Sequence, residues 1–167
     1  MTAVSNAGPL IHLAKIGRLN LLKEIFNEII IPRTVKVEVI DRGKERGKPD
    51  AFLIDTVDWI KVVDDPSNAD QLAERVGIHL GEACAILLAK SLKVPVLLDD
   101  SDARKFALGL GLEVIGSVGV IIKAVRLGLI SKEDGLKDLE KLANVMWLNV
   151  NVYEKARKVI ESLRWQK

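Results

Sequence analysis

The feature that most constrains this chain is an alternation of short β-branched, apolar runs with longer segments of helical periodicity. The runs are Ala3-Val4-Ser5, Ile29-Ile30-Ile31, Trp59-Ile60-Lys61-Val62-Val63, Val94-Pro95-Val96-Leu97-Leu98 and Glu113-Val114-Ile115. Most show no clean polar alternation, as expected of strands buried on both faces. Between them, Leu10, Ile11, Leu13 and Ala14 recur at helical spacing, as do Leu19, Leu22, Ile25 and Phe26, and then Ala83, Ile86 and Leu87. This order predicts an α/β fold, a mostly parallel sheet covered by helices on both faces. From about residue 117 the pattern is helical only, with Leu136, Leu139 and Leu142 on one helix and Val152, Ala156, Val159, Ile160 and Leu163 on the last. No Pro/Gly/Ser-rich linker interrupts the 167 residues, so the chain reads as a single domain over 1–167.

Composition removes several classes of function. With 25 basic and 23 acidic residues the net charge is +2, too small for a protein that holds nucleic acid by bulk charge. Aromatic residues are 4% of the chain, which argues against a binder made of successive stacking platforms. The one cysteine, Cys84, leaves no intrachain disulfide, and two histidines leave little zinc chemistry. The apolar stretch 117–130 is broken by Lys123 and Arg126. The N-terminal residues lack the basic region of a signal peptide. The expectation is a cytoplasmic protein without a membrane span.

In a parallel sheet, ligands bind outside the carboxyl ends of the strands. Polar residues at those ends are therefore the first candidates. Asn6 ends the first run. Asp99 and Asp100 end the fourth, with Asp102 close behind. Such a cluster of acids is relieved by a cation, a shared proton or solvent, and Mg²⁺ or Mn²⁺ binds oxygen ligands of this type. Asp102 is equally explained as a first-turn acid of the helix that follows. Glu82 opens the helix before the fourth run, and Glu38 is a lone acid among valines. His12 and His79 read as surface or core-edge histidines, and Cys84 as a small core residue. The basic stretch 42–48 could contact phosphates, but without a site beside it reads more simply as a solvated loop. Met146, Trp147 and Leu148 read as core or as an apolar patch. The segment Thr34-Val35-Lys36-Val37-Glu38-Val39-Ile40 alternates like a half-exposed strand, although Pro32 could open a helix there.

Three stretches together resemble the PIN domain family. Val4-Ser5-Asn6-Ala7-Gly8-Pro9-Leu10-Ile11 looks like its opening motif, Gly81-Glu82-Ala83-Cys84-Ala85-Ile86 like its third-acid helix, and Leu97-Leu98-Asp99-Asp100-Ser101-Asp102-Ala103-Arg104 like its last acidic strand end. Ile115-Gly116-Ser117-Val118-Gly119-Val120 with Gly128-Leu129-Ile130 is similar to the VapC-like subgroup. The resemblance implies a three-layer α/β/α sandwich and a metal-dependent endoribonuclease, in many members the toxin of a toxin–antitoxin pair. It implies Glu38, Glu82 and Asp100 as catalytic residues, and Asn6, Glu38, Glu82, Asp99, Asp100 and Asp102 as the positions around Mg²⁺ or Mn²⁺. It also implies RNA, single-stranded or structured, as substrate, an antitoxin protein as partner, and a homodimer. It makes the segment 34–40 a helix. Asn6 departs from the usual Asp of the family, which keeps an oxygen and removes a charge.

Overall fold

The computed structural model describes residues 1–164; the last three residues of the expected 1–167 domain lie outside them. Strands β1 (Thr2–Ser5), β2 (Glu28–Pro32), β3 (Ile60–Val63), β4 (Val96–Leu97) and β5 (Val114–Ile115) form one sheet in the order β3-β2-β1-β4-β5. Every neighbouring pair is parallel. Registers such as Ala3 opposite Ile29 and Val4 opposite Val96 align the central strands.

Both faces of the sheet are buried, which is why its strands read as unbroken apolar runs. Side chains alternate along each strand. Ala3, Ile29, Ile31 and Leu97 enter one core, while Val4, Ile30, Val96 and Leu98 face the other. The smaller core is closed by α7 (Leu80–Leu92) and α8 (Ser101–Gly109), through Ala85, Ile86, Ala89, Ala103 and Ala107. Alanines there let helix and sheet approach closely. The larger core is closed by α1 (Ala7–Lys15), α2 (Asn20–Phe26), α5 (Pro49–Thr56) and the helices from Ser117 onward. Those are α9 (Ser117–Arg126), α10 (Lys132–Val145) and α11 (Val150–Ser162). The result is the expected α/β/α sandwich. α6 (Ala69–Val76) leads into α7, ending at Gly77 with φ +80°.

The segment 34–40 shows where periodicity misleads. It is helical, as the resemblance implies, and not the strand that its alternation suggests. α3 (Arg33–Lys36) runs without a break through a π turn (Val37–Asp41) into α4 (Arg42–Glu45). The π turn holds one residue more than an α turn, so Val35, Val39 and Ile40 all reach the core. It also brings Lys36 and Asp41, five residues apart, to 2.8 Å. Half of the expected loop 42–48 is thus helical, and Lys44 pairs there with Asp55.

Within the larger core, Asp138 on α10 is 1% exposed. Its Oδ2 accepts from Arg18 Nε at 2.7 Å, tying the turn between α1 and α2 to the helical C-terminal part. Burial pushes the Asp138 carboxyl up, against the opposing pull of Arg18. Removing the guanidinium leaves a buried carboxylate without its partner, a change worth about 3 kcal/mol. A raised folded-state pKa makes stability fall as pH rises through it. Arg18→Met is therefore expected to lower stability by about 3 kcal/mol at pH 7, and by progressively less as the pH is lowered and Asp138 takes up a proton. Urea unfolding of both proteins over a series of pH values checks this.

Candidate active site

From β1 the chain proceeds to β2 and β3 on one side, and β4 then pairs with β1 on the other. The carboxyl ends of β1 and β4 therefore flank the point where the connections change direction, the place where open parallel sheets leave a crevice. Asn6 follows β1 there, and its N–H donates to Leu97 O at 3.1 Å. Asp99 and Asp100 follow β4. A cleft of about 1560 Å³ opens at this point, with Asn6, Glu38, Glu82, Asp99 and Asp100 on its wall.

Each acid arrives by a different local cause. Asp100 is the N-cap of α8, its Oδ2 accepting from Ala103 N at 3.0 Å. Glu82 closes a capping box at the start of α7, where its Oε1 accepts from His79 N at 2.9 Å. Glu38 comes from the π turn and is exposed to the cleft. Asn6 is the N-cap of α1 but makes no side-chain cap. Gly81 shows how these groups converge. A Cβ at that position would stand 3.2 Å from Asn6 Oδ1 and 3.5 Å from Glu38 Oε2, so the missing side chain is the space in which the two oxygens meet.

Two buried oxygens of this group are orphans among the described residues, Asn6 Oδ1 and Glu82 Oε2. A buried polar atom without a partner is a free-energy penalty that folds seldom leave standing. Glu82 is 3% exposed. Burial pushes its carboxyl above the ordinary carboxylate range, the His79 N–H opposes that, and the Asp100 carboxylate raises it further. All these donors are oxygens, the set a hard divalent cation takes with water completing its shell. The site thus fits Mg²⁺ or Mn²⁺. Among the described residues no three His, Cys, Asp or Glu side chains enclose an ion by themselves; the Asn6 amide oxygen lies outside that set.

Asp99 and Asp100 differ sharply. Both Asp99 oxygens are already engaged. Ser117 N donates to Oδ1 at 2.7 Å, Ser117 Oγ donates to Oδ2 at 2.6 Å, and His12 Nδ1 lies 2.7 Å from Oδ2. Asp99 thereby sits at the N-terminus of α9, where the helix dipole also favours a carboxylate. Asp102 is exposed in the first turn of α8 and does not line the cleft. His12 and Ser117 carried no sequence signal for this role beyond helical spacing: His12 lies one turn beyond Gly8, which faces Asp99. Arg104 was also missed. Its Nη1 donates to Leu98 O at 3.0 Å. Gly116 makes room for it, since a Cβ there would lie 2.6 Å from that nitrogen and 3.0 Å from Asp99 Oδ1. Cys84 is buried in α7 and burial pushes its thiol up to about 11, which suits a core residue.

The fold and the acid-lined crevice define the class, a parallel α/β protein of nuclease-like architecture. The chain belongs to the PIN domain family, whose model matches residues 2–162. Membership in it supports a nuclease-like protein, of a kind that generally uses divalent metal ions, and suggests nucleic-acid binding. Among solved structures the chain is similar to PAE2754 from Pyrobaculum aerophilum, with a TM-score of 0.52 and 16% sequence identity. That likeness covers 70% of this chain and 92% of the other, and it concerns the fold. No curated protein matches the chain. Among the described residues no helix is long and apolar enough to cross a membrane.

The raised Glu82 carboxyl yields a stability test. Its ordinary value is 4.5 and its folded value is higher, so wild-type stability falls as pH rises from the first to the second and stays low above. Glu82→Gln keeps an oxygen for His79 N and carries no charge. In EDTA at pH 7 it is expected to be more stable than wild type, because it carries no charge for burial and Asp100 to oppose. That gain should shrink as pH falls from the folded value toward 4.5 and be gone below it. Thermal melts across this range read the difference.

Proposed function

We propose that this protein is a Mg²⁺- or Mn²⁺-dependent endoribonuclease in which Asn6, Glu38, Glu82 and Asp100 would hold the cation, directly or through water. The observation that carries this reading is the pair of buried, partnerless oxygens Asn6 Oδ1 and Glu82 Oε2 beside two further carboxylates. Such a cation, when bound, neutralises charge on the phosphoryl group and makes water a better nucleophile. The residues themselves do the rest. The Glu82 carboxyl holds a proton more readily than an exposed glutamate, and a cation would compete with that proton, so cation affinity would rise with pH. Asp100 and Glu38 draw positive charge to the floor of the cleft. Arg104, steadied by Leu98 O, offers its remaining N–H groups to a phosphate. Asp99 acts through others, keeping α1, α9 and the end of β4 in register around the site. Asp102, on the solvent side of α8, would contribute only charge at a distance. The likeness of 115–120 and 128–130 to the VapC-like subgroup supports extending the reading to a toxin restrained by an antitoxin protein in the cytoplasm.

One observation favours a second reading, a PIN module that binds RNA or a protein and cuts weakly. Asn6 removes one charge from the group that must hold the cation. In this reading Mn²⁺ binding is absent at millimolar metal.

The deciding experiment is cleavage of a mixed single-stranded RNA with Mn²⁺, Mg²⁺ or EDTA, beside Asp100→Asn. The variant keeps an acceptor for Ala103 N, so its melting temperature is expected level or higher while cleavage is lost. Cleavage that survives in Asp100→Asn removes this residue from the mechanism. No cleavage with any metal leaves the binding module. Restoring the missing charge by Asn6→Asp is expected to tighten Mn²⁺ binding about tenfold by calorimetry.

A further inference from the structure

We infer that Trp147 is a stacking platform for one unpaired nucleobase, which makes single-stranded RNA the ligand of this cleft. This rests on the RNA reading above and deepens it. Trp147 is 84% exposed, the most exposed large apolar side chain among the described residues, and it lines the same cleft as the acidic residues. The backbone on either side of it is anchored. Met146 has extended backbone angles, φ −140° and ψ 158°. Side chains alternate along extended chain, so Met146 and Leu148 pack against the larger core while Trp147 is turned out. The residues on either side are tied down. Met146 N donates to Leu142 O at 2.9 Å, and Asn149 caps α11 by accepting from Asn151 N at 2.7 Å. An indole on a backbone anchored at both sides offers a flat face to the cleft.

Charge complementarity names the occupant. Lys123, Arg126 and Lys155 line the cleft with Trp147. Arg126 and Lys155 are exposed and form no ion pair among the described residues. An aromatic face that shares a cleft with unpaired cations fits a base and its flanking phosphates. A base paired within a duplex has its faces covered by its neighbours, so the platform selects single strands. One platform differs from the row of them that the low aromatic content excludes.

The test measures binding in EDTA, where cleavage plays no part. A short labelled single-stranded RNA, the same sequence as a duplex, and a set of single strands each carrying one abasic site are titrated with wild type, Trp147→Ala and Trp147→Phe. Wild type is expected to prefer the single strand and to lose affinity when the abasic site falls at one particular position. Trp147→Ala is expected to bind the intact strand roughly 5- to 100-fold more weakly and to be insensitive to that abasic site, while Trp147→Phe recovers most of the loss. Equal affinity of wild type and Trp147→Ala for the single strand overturns the inference, as does unchanged sensitivity to the abasic site. Equal RNA affinity together with a change from dimer to monomer in light scattering overturns it and assigns the face to a second copy of the chain. Wild type that binds no RNA overturns the platform and the RNA reading together. Trp147-dependent binding without cleavage under Mn²⁺ upholds the platform and sinks the nuclease; metal-dependent cleavage with Trp147-independent binding does the reverse.

Discussion

The carboxylate of Asp99 is the point on which the geometry of the cleft depends. It accepts from the backbone and the hydroxyl of Ser117 and meets the His12 ring, and these three contacts join β4, α9 and α1. With its own oxygens saturated, it holds neighbours in place and leaves its sequence neighbour Asp100 to face the crevice. Hydrogen bonds to a charged acceptor are roughly twice as strong as neutral ones. The helical part from Ser117 onward is thus anchored by its first residue to the sheet's carboxyl edge. At the far side the Arg18–Asp138 pair provides a second anchor. Between these two ties the C-terminal helices form one wall of the cleft.

The site sets solvation against charge. Glu82 is buried and Glu38 is exposed, yet both line the same space. A protein selected only for stability would replace Glu82 by an uncharged residue, since burial and Asp100 both disfavour its ionised form. Keeping the carboxylate there sacrifices stability for a poised negative group, a pattern common at functional sites.

Much of the fold was legible because its strands are buried on both faces. Ile29-Ile30-Ile31 can only be an interior strand or a piece of buried helix, and Pro32 and the flanking helices settle which. The acids at strand ends were legible for the same reason, because a parallel sheet opens at its carboxyl edge. Three things were not. The helix through Glu38 was hidden because a π turn shifts the phase of its apolar residues, so that Val35, Val37 and Val39 mimic a strand. The separate fates of Asp99 and Asp100 depend on Ser117 and His12, which are 18 and 87 residues away from Asp99. Arg104 was hidden because its role follows from the space left at Gly116, and spacing along the chain does not report on vacant volume.

The π turn has a consequence for how this chain tolerates change in length. Each residue added to or taken from an α-helix rotates everything beyond it by about 100°. The helical run from Arg33 to Glu45 is clamped at its start by the Asp65 carboxylate, which accepts from Thr34 N, and near its end by Lys44 against Asp55. Between two fixed ends the surplus residue acts as a vernier that sets the azimuth of one carboxylate. A deletion here would give a more regular helix and a misdirected Glu38. Regularity of secondary structure and fidelity of aim are therefore opposed in this segment, and the chain keeps the less regular form.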